Sequence, residues 1–390
     1  MRFRVFACLL SISLCGLLAC SSNSSVATVS GTGTLYIAAQ GDNSLTAYVV
    51  ALGNGALTQL GSILSTGSSP FAMALSPARN ALFVDNIVSQ TVTSYAINSD
   101  GSLTAVSGTV KTGSMPMGMV IDPLGRFLFV ANQASSTVSM FSISNTTLTE
   151  VSGSPFTTIP AGTTVATGPS AVAASASGNF LYVANTFTNT VSAYSISAAG
   201  LTPLGASPFA VGLAPSAVAV PPSGGFLYVA NTGTNNISAF NICDKVVTTC
   251  ADVNNPDGNL TPVTGSPFSD GGSPVAIAID PAFDFLYVLD KQSNQISSYA
   301  YGTGNGVLTP LSVTPTVSTG LAPASFAIVS GTTGTNIGNT LTNPTDFVYV
   351  VNNESSTLSV YTLNTTTGAL TPLGLAAQTA VNPTAVGAVN

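Results

Sequence analysis

Residues that could carry out acid–base or metal chemistry are scarce in this chain. Its 390 residues contain no His and carry a formal net charge of −7, from 7 basic and 14 acidic side chains. The only Glu are Glu150 and Glu354. Hydrolysis needs a base to activate water and donors to hold a developing oxyanion, and nucleic-acid binding needs clustered Lys or Arg. The composition therefore counts against both, and we predict neither a nucleic-acid partner nor any catalytic residue.

One polar set recurs at a fixed place, at the end of a short apolar phrase: Asn86, Asn132, Asn185, Asn231, Asp290 and Asn352, with Ala39 in the first copy. Two interpretations stay open. Asn at a strand end can cap a tight turn through its side-chain amide, and its presence in nearly every copy favours this structural role. Alternatively, the amides could bind a sugar or a peptide.

Three residues break this repetition and are the first place to look for a ligand. Asp290 replaces Asn, and Lys291 and Asp85 lie at comparable positions. A lone Asp is nevertheless more often a turn residue than a cation ligand. The candidate ligand-binding residues are therefore Asp85, Asn132, Asn185, Asn231, Asp290, Lys291 and Asn352.

The apolar phrase that positions these residues occurs seven times, and its clearest copy is Leu-Tyr-Val-Ala-Asn-Thr at 181–186. A second aromatic follows twelve residues after the first in every copy, at Tyr48, Tyr95, Phe141, Tyr194, Phe240, Tyr299 and Tyr361. Each repeat has four pieces in which apolar residues alternate with small or polar ones, the period of a β-strand. Seven four-stranded repeats predict an all-β, seven-bladed β-propeller with antiparallel blades.

The two ends of the repeat region complete each other. The segment 383–390 has the pattern of a first strand with no repeat after it, and the phrase around Tyr36 has no first strand before it. Placing residue 31 directly after Asn390 puts Tyr36 thirteen positions after Pro383, the interval found in intact repeats. We therefore predict one propeller domain over 32–390, closed by pairing of the C-terminal strand with the N-terminal blade.

The repeats resemble the lactonase-like family of seven-bladed propellers, which includes YVTN-type repeats. The segments 115–133 and 224–232 have its typical repeat sequence, and the resemblance extends from about residue 32 to 390. Members identified as 6-phosphogluconolactonases or muconate cycloisomerases are thought to use His, Arg and Glu in the central channel. Positions that often carry Arg in the family hold other residues here: Met117, Gln133, Thr186 and Thr232. The resemblance implies a fold more than a function, because one architecture supports many functions.

The N-terminus resembles a bacterial lipoprotein signal peptide over 1–19, followed by a flexible tether over 20–31. Arg2 and Arg4 precede the apolar run 5–18, which is too short to span a membrane comfortably. The resemblance of 17–20 to a lipobox implies cleavage before Cys20 and lipidation of its thiol. Ser21 after this Cys favours release to the outer membrane. The alternative is an ordinary cleaved signal peptide of a periplasmic or secreted protein.

The remaining Cys predict a disulfide. Cys8 and Cys15 lie within the signal peptide and Cys20 would be lipidated, which leaves Cys243 and Cys250. Two Cys six residues apart in an exported protein indicate a local disulfide. A metal site would need more ligands nearby, so we predict neither a metal nor a cofactor.

These features lead to an interpretation and an alternative. We interpret the chain as an exported, lipid-anchored monomer that acts as a binding or scaffold module at the bacterial cell envelope. Its anchor would contact the membrane, and its partner would be a glycan or an envelope protein. The alternative is a divergent lactonase, a carboxylic-ester hydrolase acting on a sugar lactone.

Overall fold

The computed structural model describes residues 32–246, 257–280, 284–330, 345–374 and 377–389. Within these ranges, seven antiparallel β-sheets surround a central channel, which confirms the predicted seven-bladed propeller. No helix in this part of the chain is long and apolar enough to cross a membrane. The segment 1–31, including Cys20, and Cys250 lie outside the described residues, so the signal peptide, the lipidation and the disulfide stay predictions.

We number the blades 1 to 7 from the N-terminus and name the strands of each blade, from the channel outward, inner, second, third and outer. The inner strands are Pro383–Val389, Pro70–Leu75, Pro116–Ile121, Pro169–Ala174, Pro215–Ala219, Pro274–Ile279 and Pro323–Val329. The second strands are Thr32–Ala39, Ala81–Asn86, Phe127–Asn132, Phe180–Asn185, Phe226–Asn231, Phe285–Asp290 and Thr345–Asn352.

The third strands are Ser44–Ala51, Thr91–Ile97, Thr137–Ser144, Thr190–Ser197, Asn236–Ile242, Gln295–Tyr301 and Thr357–Asn364. The outer strands of blades 1 and 2 are Ala56–Ser65 and Leu103–Lys111. In blades 3 to 7 the outer strand consists of two short pieces: Thr147–Glu150 with Phe156–Thr157, Gly200–Pro203 with Phe209–Ala210, Leu260–Pro262 with Phe268–Ser269, Leu308–Pro310 with Thr316–Ser318, and Leu370–Pro372 with Ala377–Gln378.

The C-terminal strand closes the ring, as the sequence predicts. Val386 pairs with Ile37, and Gly387 pairs with Tyr36, in an antiparallel register. The last strand of the chain is therefore the inner strand of blade 1. This pairing protects the edge of the N-terminal blade and joins the two ends of the repeat array.

The core lies between the blades rather than in the channel. Tyr182 of blade 4 packs in one apolar cluster with Leu227 and Val229 of blade 5. The hydroxyl of Tyr182 donates to the carbonyl of Gly258 at 3.0 Å, and Tyr228 donates in the same way to Gly306 of the next blade at 3.0 Å. The repeated aromatics thus hold neighbouring blades together, and the inner strands are left to line the channel.

Candidate functional site

The inner strands surround a cavity of about 660 Å³. Residues near the start of the inner strands line the cavity, and so do residues that directly follow the second strands. The cavity therefore opens on the face of the propeller where the second strands end. We call this opening the channel mouth. Its volume falls in the range of small-molecule sites, roughly 300–1,000 Å³.

The channel mouth is formed by the residue that follows each second strand. In blade 2 this position holds Ile87. In the other blades the residues at this position line the cavity, and they are Gln40, Gln133, Thr186, Thr232, Lys291 and Asn353. Of all the described residues that line the cavity, only Lys291 is charged. The mouth is therefore polar in six of the seven blades, with one cation among the described residues that line the cavity.

Several of these polar groups are already bonded to the neighbouring blade. The hydroxyls of Thr186 and Thr232 donate to the carbonyls of Pro215 and Pro274 at 2.8 and 2.6 Å. The Asn353 amide donates to the Pro383 carbonyl at 3.2 Å.

The remaining mouth side chains differ in their availability. The Gln40 amide donates to the Ser69 hydroxyl. Within the described residues, the side chains of Gln133 and Lys291 have no hydrogen-bond partner. These two side chains, three blades apart around the mouth, are the groups best able to contact a ligand.

Below the mouth, the wall of the channel becomes aliphatic. The fourth residue of the inner strand lines the cavity in blades 1 to 6, and these residues are Val386, Met73, Met119, Val172, Val218 and Ile277. Between this level and the mouth, the hydroxyls of Thr384, Ser170 and Ser216 donate to the inner-strand Pro carbonyl of the next blade at 2.8–2.9 Å. The site thus combines a polar opening with an apolar interior.

The candidate residues Asn132, Asn185, Asn231 and Asn352 lie behind the mouth and do not line the cavity. Each is 0% exposed. Their side-chain amides donate to hydroxyls of the third strand of the same blade, as Asn132 does to Ser139 at 2.9 Å and Asn185 to Ser192 at 2.8 Å. These contacts fit the capping interpretation, and the polar rim lies one residue further along the chain than the sequence predicts.

Asp290 occupies the same buried place in blade 6, where it faces a second carboxyl group. Asp290 is 0% exposed and accepts a hydrogen bond from Ser297 at 2.5 Å, while Asp270 accepts one from the Tyr299 hydroxyl at 2.7 Å. Burial, and then a hydrogen bond with Asp270, raise the pKa of Asp290 to about 9. Because carboxylate oxygens only accept hydrogen bonds, a bond between the two groups requires a proton on one of them. The raised pKa of Asp290 thus favours a proton on this pair at neutral pH.

Asp85 is the third candidate that breaks the repetition, and it is also absent from the residues that line the cavity. It is 0% exposed, and its Oδ1 accepts a hydrogen bond from the Ala72 backbone at 2.6 Å. Ala72 lies at the inner-strand bulge between Pro70 and Met73. Burial raises the pKa of Asp85 to about 8. Asp85 thus shapes the strand that carries Phe71, Ala72 and Met73 into the cavity wall.

Of the predicted ligand-binding residues, only Lys291 lines the cavity. Met117, Gln133, Thr186 and Thr232, which the family resemblance singled out as positions that often carry Arg, line it as well. Gln40 and Asn353 were missed. The signal for them is strand alternation: because successive side chains point to opposite sides, the residue after the buried Asn, or after the buried Ala39 in blade 1, faces away from it. Within the described ranges, no three His, Cys, Asp or Glu side chains come together as metal ligands.

Comparisons with known proteins agree with this architecture. The sequence model of a family described as "Lactonase, 7-bladed beta-propeller" matches residues 10–117, 91–154, 105–249 and 214–322. No curated protein sequence matches the chain.

Solved structures share the fold at low sequence identity. A putative 6-phosphogluconolactonase from Bacteroides fragilis superposes with a TM-score of 0.74 at 16% identity, covering 93% of this chain and 99% of its own. A periplasmic gluconolactonase from Pseudomonas aeruginosa gives a TM-score of 0.71 at 18% identity, covering 92% of this chain and 99% of its own.

Proposed function

Since the chain belongs to the lactonase family of seven-bladed β-propellers, we propose that it binds a lactone at the channel mouth and hydrolyses it. The observation that carries this proposal is the position of Lys291, the one charged side chain among the described residues that line the cavity. The names of the similar structures, a putative 6-phosphogluconolactonase and a gluconolactonase, make lactones the first compounds to test.

In the proposed reaction, Lys291 acts on the lactone carbonyl. Its ammonium group donates a hydrogen bond to the carbonyl oxygen and stabilises the negative charge that develops there when water adds to the carbonyl carbon. The ring C–O bond then breaks, and the alkoxide takes up a proton through solvent as the attacking water loses one. The amide of Gln133, three blades away around the mouth, is a second polar group that the ligand can contact. The product is a hydroxy acid.

The charge of the site favours an uncharged lactone. A phosphate group is held by several fixed cations, usually Arg or Lys in bidentate or clustered contacts. The described lining of this cavity offers Lys291 alone. Binding of a phosphorylated sugar lactone would leave most of its charge without a partner, so we propose that the natural lactone carries no phosphate.

Replacing Lys291 tests the proposed reaction directly. We expect Lys291→Met to lower kcat/KM for lactone hydrolysis by about 10²-fold, the usual cost of removing one oxyanion donor. The measurement is a pH-stat assay with spontaneous hydrolysis subtracted, because lactones open slowly in water. The matched control is Lys111→Met, which removes an exposed cation from an outer strand. Equal rates for both variants and the wild type would exclude the proposed role of Lys291.

A second candidate function is a non-catalytic binding module at the cell envelope. It is favoured by the absence of carboxylate and imidazole groups from the cavity lining in the described part of the chain. A binding module would retain a glycan or an envelope protein on an affinity column and show no lactone turnover. Loss of retention on deleting 329–346 or 243–259 would locate that partner on these segments rather than at the channel mouth.

Export and anchoring are separate proposals, supported by the resemblance of 1–20 to a lipoprotein signal. We propose that Cys20 is lipidated and that Cys243 and Cys250 form a disulfide in the cell envelope. Metabolic labelling with a fatty acid should mark the wild type and not Cys20→Ala. Mass spectrometry of the exported protein before and after reduction should show a gain of two hydrogens on the peptide that contains Cys243 and Cys250.

A further inference from the structure

We propose that the lactone bound by this site carries an aliphatic chain, and that this chain lies in the channel below the mouth. The inference rests on the proposed lactone binding and specifies its substrate class. It comes from the change in wall chemistry with depth, from the polar residues of the mouth to the aliphatic residues of the inner strands.

Aliphatic side chains line the channel at the same inner-strand position in six of the seven blades. Blades 1 to 6 each contribute a Val, Ile or Met from the fourth position of the inner strand, and these side chains pack in the clusters between blades while also lining the cavity: Val386, Met73, Met119, Val172, Val218 and Ile277. Three of the six Met in the chain, Met73, Met117 and Met119, line the cavity. Met side chains are flexible and adapt to apolar ligands of varied shape. A wall of this kind suits methylene groups.

The polar side chains between the mouth and this level have no free hydroxyl hydrogen to donate to a sugar. Thr384, Ser170 and Ser216 use their hydroxyl hydrogens in bonds to the Pro carbonyls of the next blades. A sugar lactone has a hydroxyl group on nearly every carbon, and each buried hydroxyl without a partner costs about 1–3 kcal/mol. These hydroxyls can then only accept hydrogen bonds, so a polyol placed at this depth would find no side-chain donor among them and would lose part of its hydration.

The polar groups that are available lie at the mouth, where a lactone ring would sit. Lys291 and Gln133 have no side-chain partner among the described residues. A ligand that places a polar ring at the mouth beside Lys291 and an alkyl chain in the channel matches both levels of the site. Such a ligand is a γ- or δ-lactone with a medium-length alkyl substituent.

The test is a chain-length series, measured by calorimetry on the mature protein: γ-butyrolactone, γ-hexalactone, γ-octalactone and γ-decalactone. We expect the Kd to fall by about two- to fourfold for each added methylene, the upper value corresponding to the ~0.8 kcal/mol of a fully buried CH₂. The matching γ-alkyl lactams, which resist hydrolysis, report binding without turnover. A Kd that stays constant along both series would overturn the inference.

Two Met→Gln variants provide a matched pair that changes polarity with little change in volume. Met119→Gln alters the aliphatic level of the cavity, while Met115→Gln alters a side chain that is 40% exposed on the same face of the propeller. We expect Met119→Gln to weaken binding of γ-decalactone by about tenfold and to leave γ-butyrolactone unaffected. We expect no change for Met115→Gln. Equal effects of the two variants would contradict the inference, as would no effect of either.

The outcomes separate this inference from the proposed hydrolysis. Alkyl lactams that bind more tightly with chain length, without turnover of the lactones, would support the aliphatic site and overturn the hydrolase. Turnover of glucono-δ-lactone that exceeds turnover of every alkyl lactone, with no dependence on chain length, would support the hydrolase and overturn the aliphatic site.

Discussion

The carboxyl pair of blade 6 is the most unusual local feature near the channel mouth. Asp290 lies where other blades place an Asn, and Asp270 lies on the connection that leads to the inner strand of blade 6. Tyr299 donates to Asp270, and the backbone of Lys291, the next residue after Asp290, donates to the Ser273 carbonyl of the same connection at 3.0 Å. The protonation of the pair is thus coupled to the connection that supports Lys291.

Asp290→Asn should make the stability of the protein less dependent on pH. The folded-state pKa of Asp290, about 9, lies above its ordinary value of 3.8. A raised pKa stabilises the protonated folded form, so this contribution is fully present below about pH 4 and is lost as the pH rises towards 9. One proton corresponds to a slope of about 1.4 kcal/mol per pH unit. We expect the free energy of unfolding from urea titrations to fall as the pH rises from 5 to 9 in the wild type, where Asp85 also contributes, and Asp290→Asn to lower that slope by about 1.4 kcal/mol per pH unit.

The control for this measurement is Glu354→Gln, which removes an exposed carboxylate from the same face. Its stability should follow pH as the wild type does. Asn is the residue that blades 2 to 5 and 7 use at the position of Asp290, so Asp290→Asn is compatible with the fold. A slope that is identical in Asp290→Asn and the wild type would show that the two carboxyl groups do not share a proton.

At the scale of strands and turns, the blades are joined by side-chain bonds that cross each interface. Tyr228 of blade 5 is 0% exposed and donates to the buried Gly306 carbonyl in the third-to-outer turn of blade 6. Blades 2 and 3 hold Phe83 and Phe129 at the same position, which shows that the site accepts a ring without a hydroxyl. The hydroxyl therefore contributes hydrogen bonding rather than shape.

Tyr228→Phe should destabilise the protein by about 1–3 kcal/mol, because the buried Gly306 carbonyl would lose its donor. The measurement is the midpoint of urea unfolding at pH 7. Tyr194→Phe is the comparison, since its hydroxyl makes a longer bond of 3.4 Å to Thr157 and should cost less. An equal loss in both variants would contradict the contribution assigned to the bond between Tyr228 and Gly306.

The strands could be predicted because the sequence shows their period and spacing. The residues that line the channel could be predicted only in part. The Asn at the end of each second strand is a repeated polar residue and was the natural candidate for a binding rim. Its amide is instead used within its own hairpin, as for Asn231, which donates to Ser238 at 2.9 Å. Thr232, the next residue, faces the channel. Repetition alone cannot distinguish a capping residue from a ligand residue; that distinction needs the tertiary contacts.

At the scale of the whole molecule, stability depends on closure of the ring. The terminal strand Pro383–Val389 covers the edge of blade 1, and Val386 packs with Ile37 and Tyr349 in one apolar cluster. Thr384 also bonds to Pro70 of blade 2 at 2.9 Å. The last strand therefore holds blades 7, 1 and 2 together, and the channel that forms the proposed site exists only when it is in place.

Truncation after residue 382 should abolish cooperative unfolding, because it opens the ring and exposes the edge of blade 1. Circular dichroism during urea titration should show a broad transition and a lower midpoint. A chain that lacks only Asn390 keeps all the described pairs between 34–39 and 383–389 and should unfold as the wild type does. A sharp transition at the wild-type midpoint after the longer truncation would contradict the role of closure.

The central claim is that a lactone ring binds at the channel mouth beside Lys291. The most direct measurement is a crystal structure of the protein with a γ-alkyl lactam. We expect the lactam carbonyl oxygen to lie about 2.7–3.2 Å from the Lys291 Nζ, with the alkyl chain between Met119 and Ile277. A lactam bound outside the channel, or one whose carbonyl has no contact with Lys291, would contradict it.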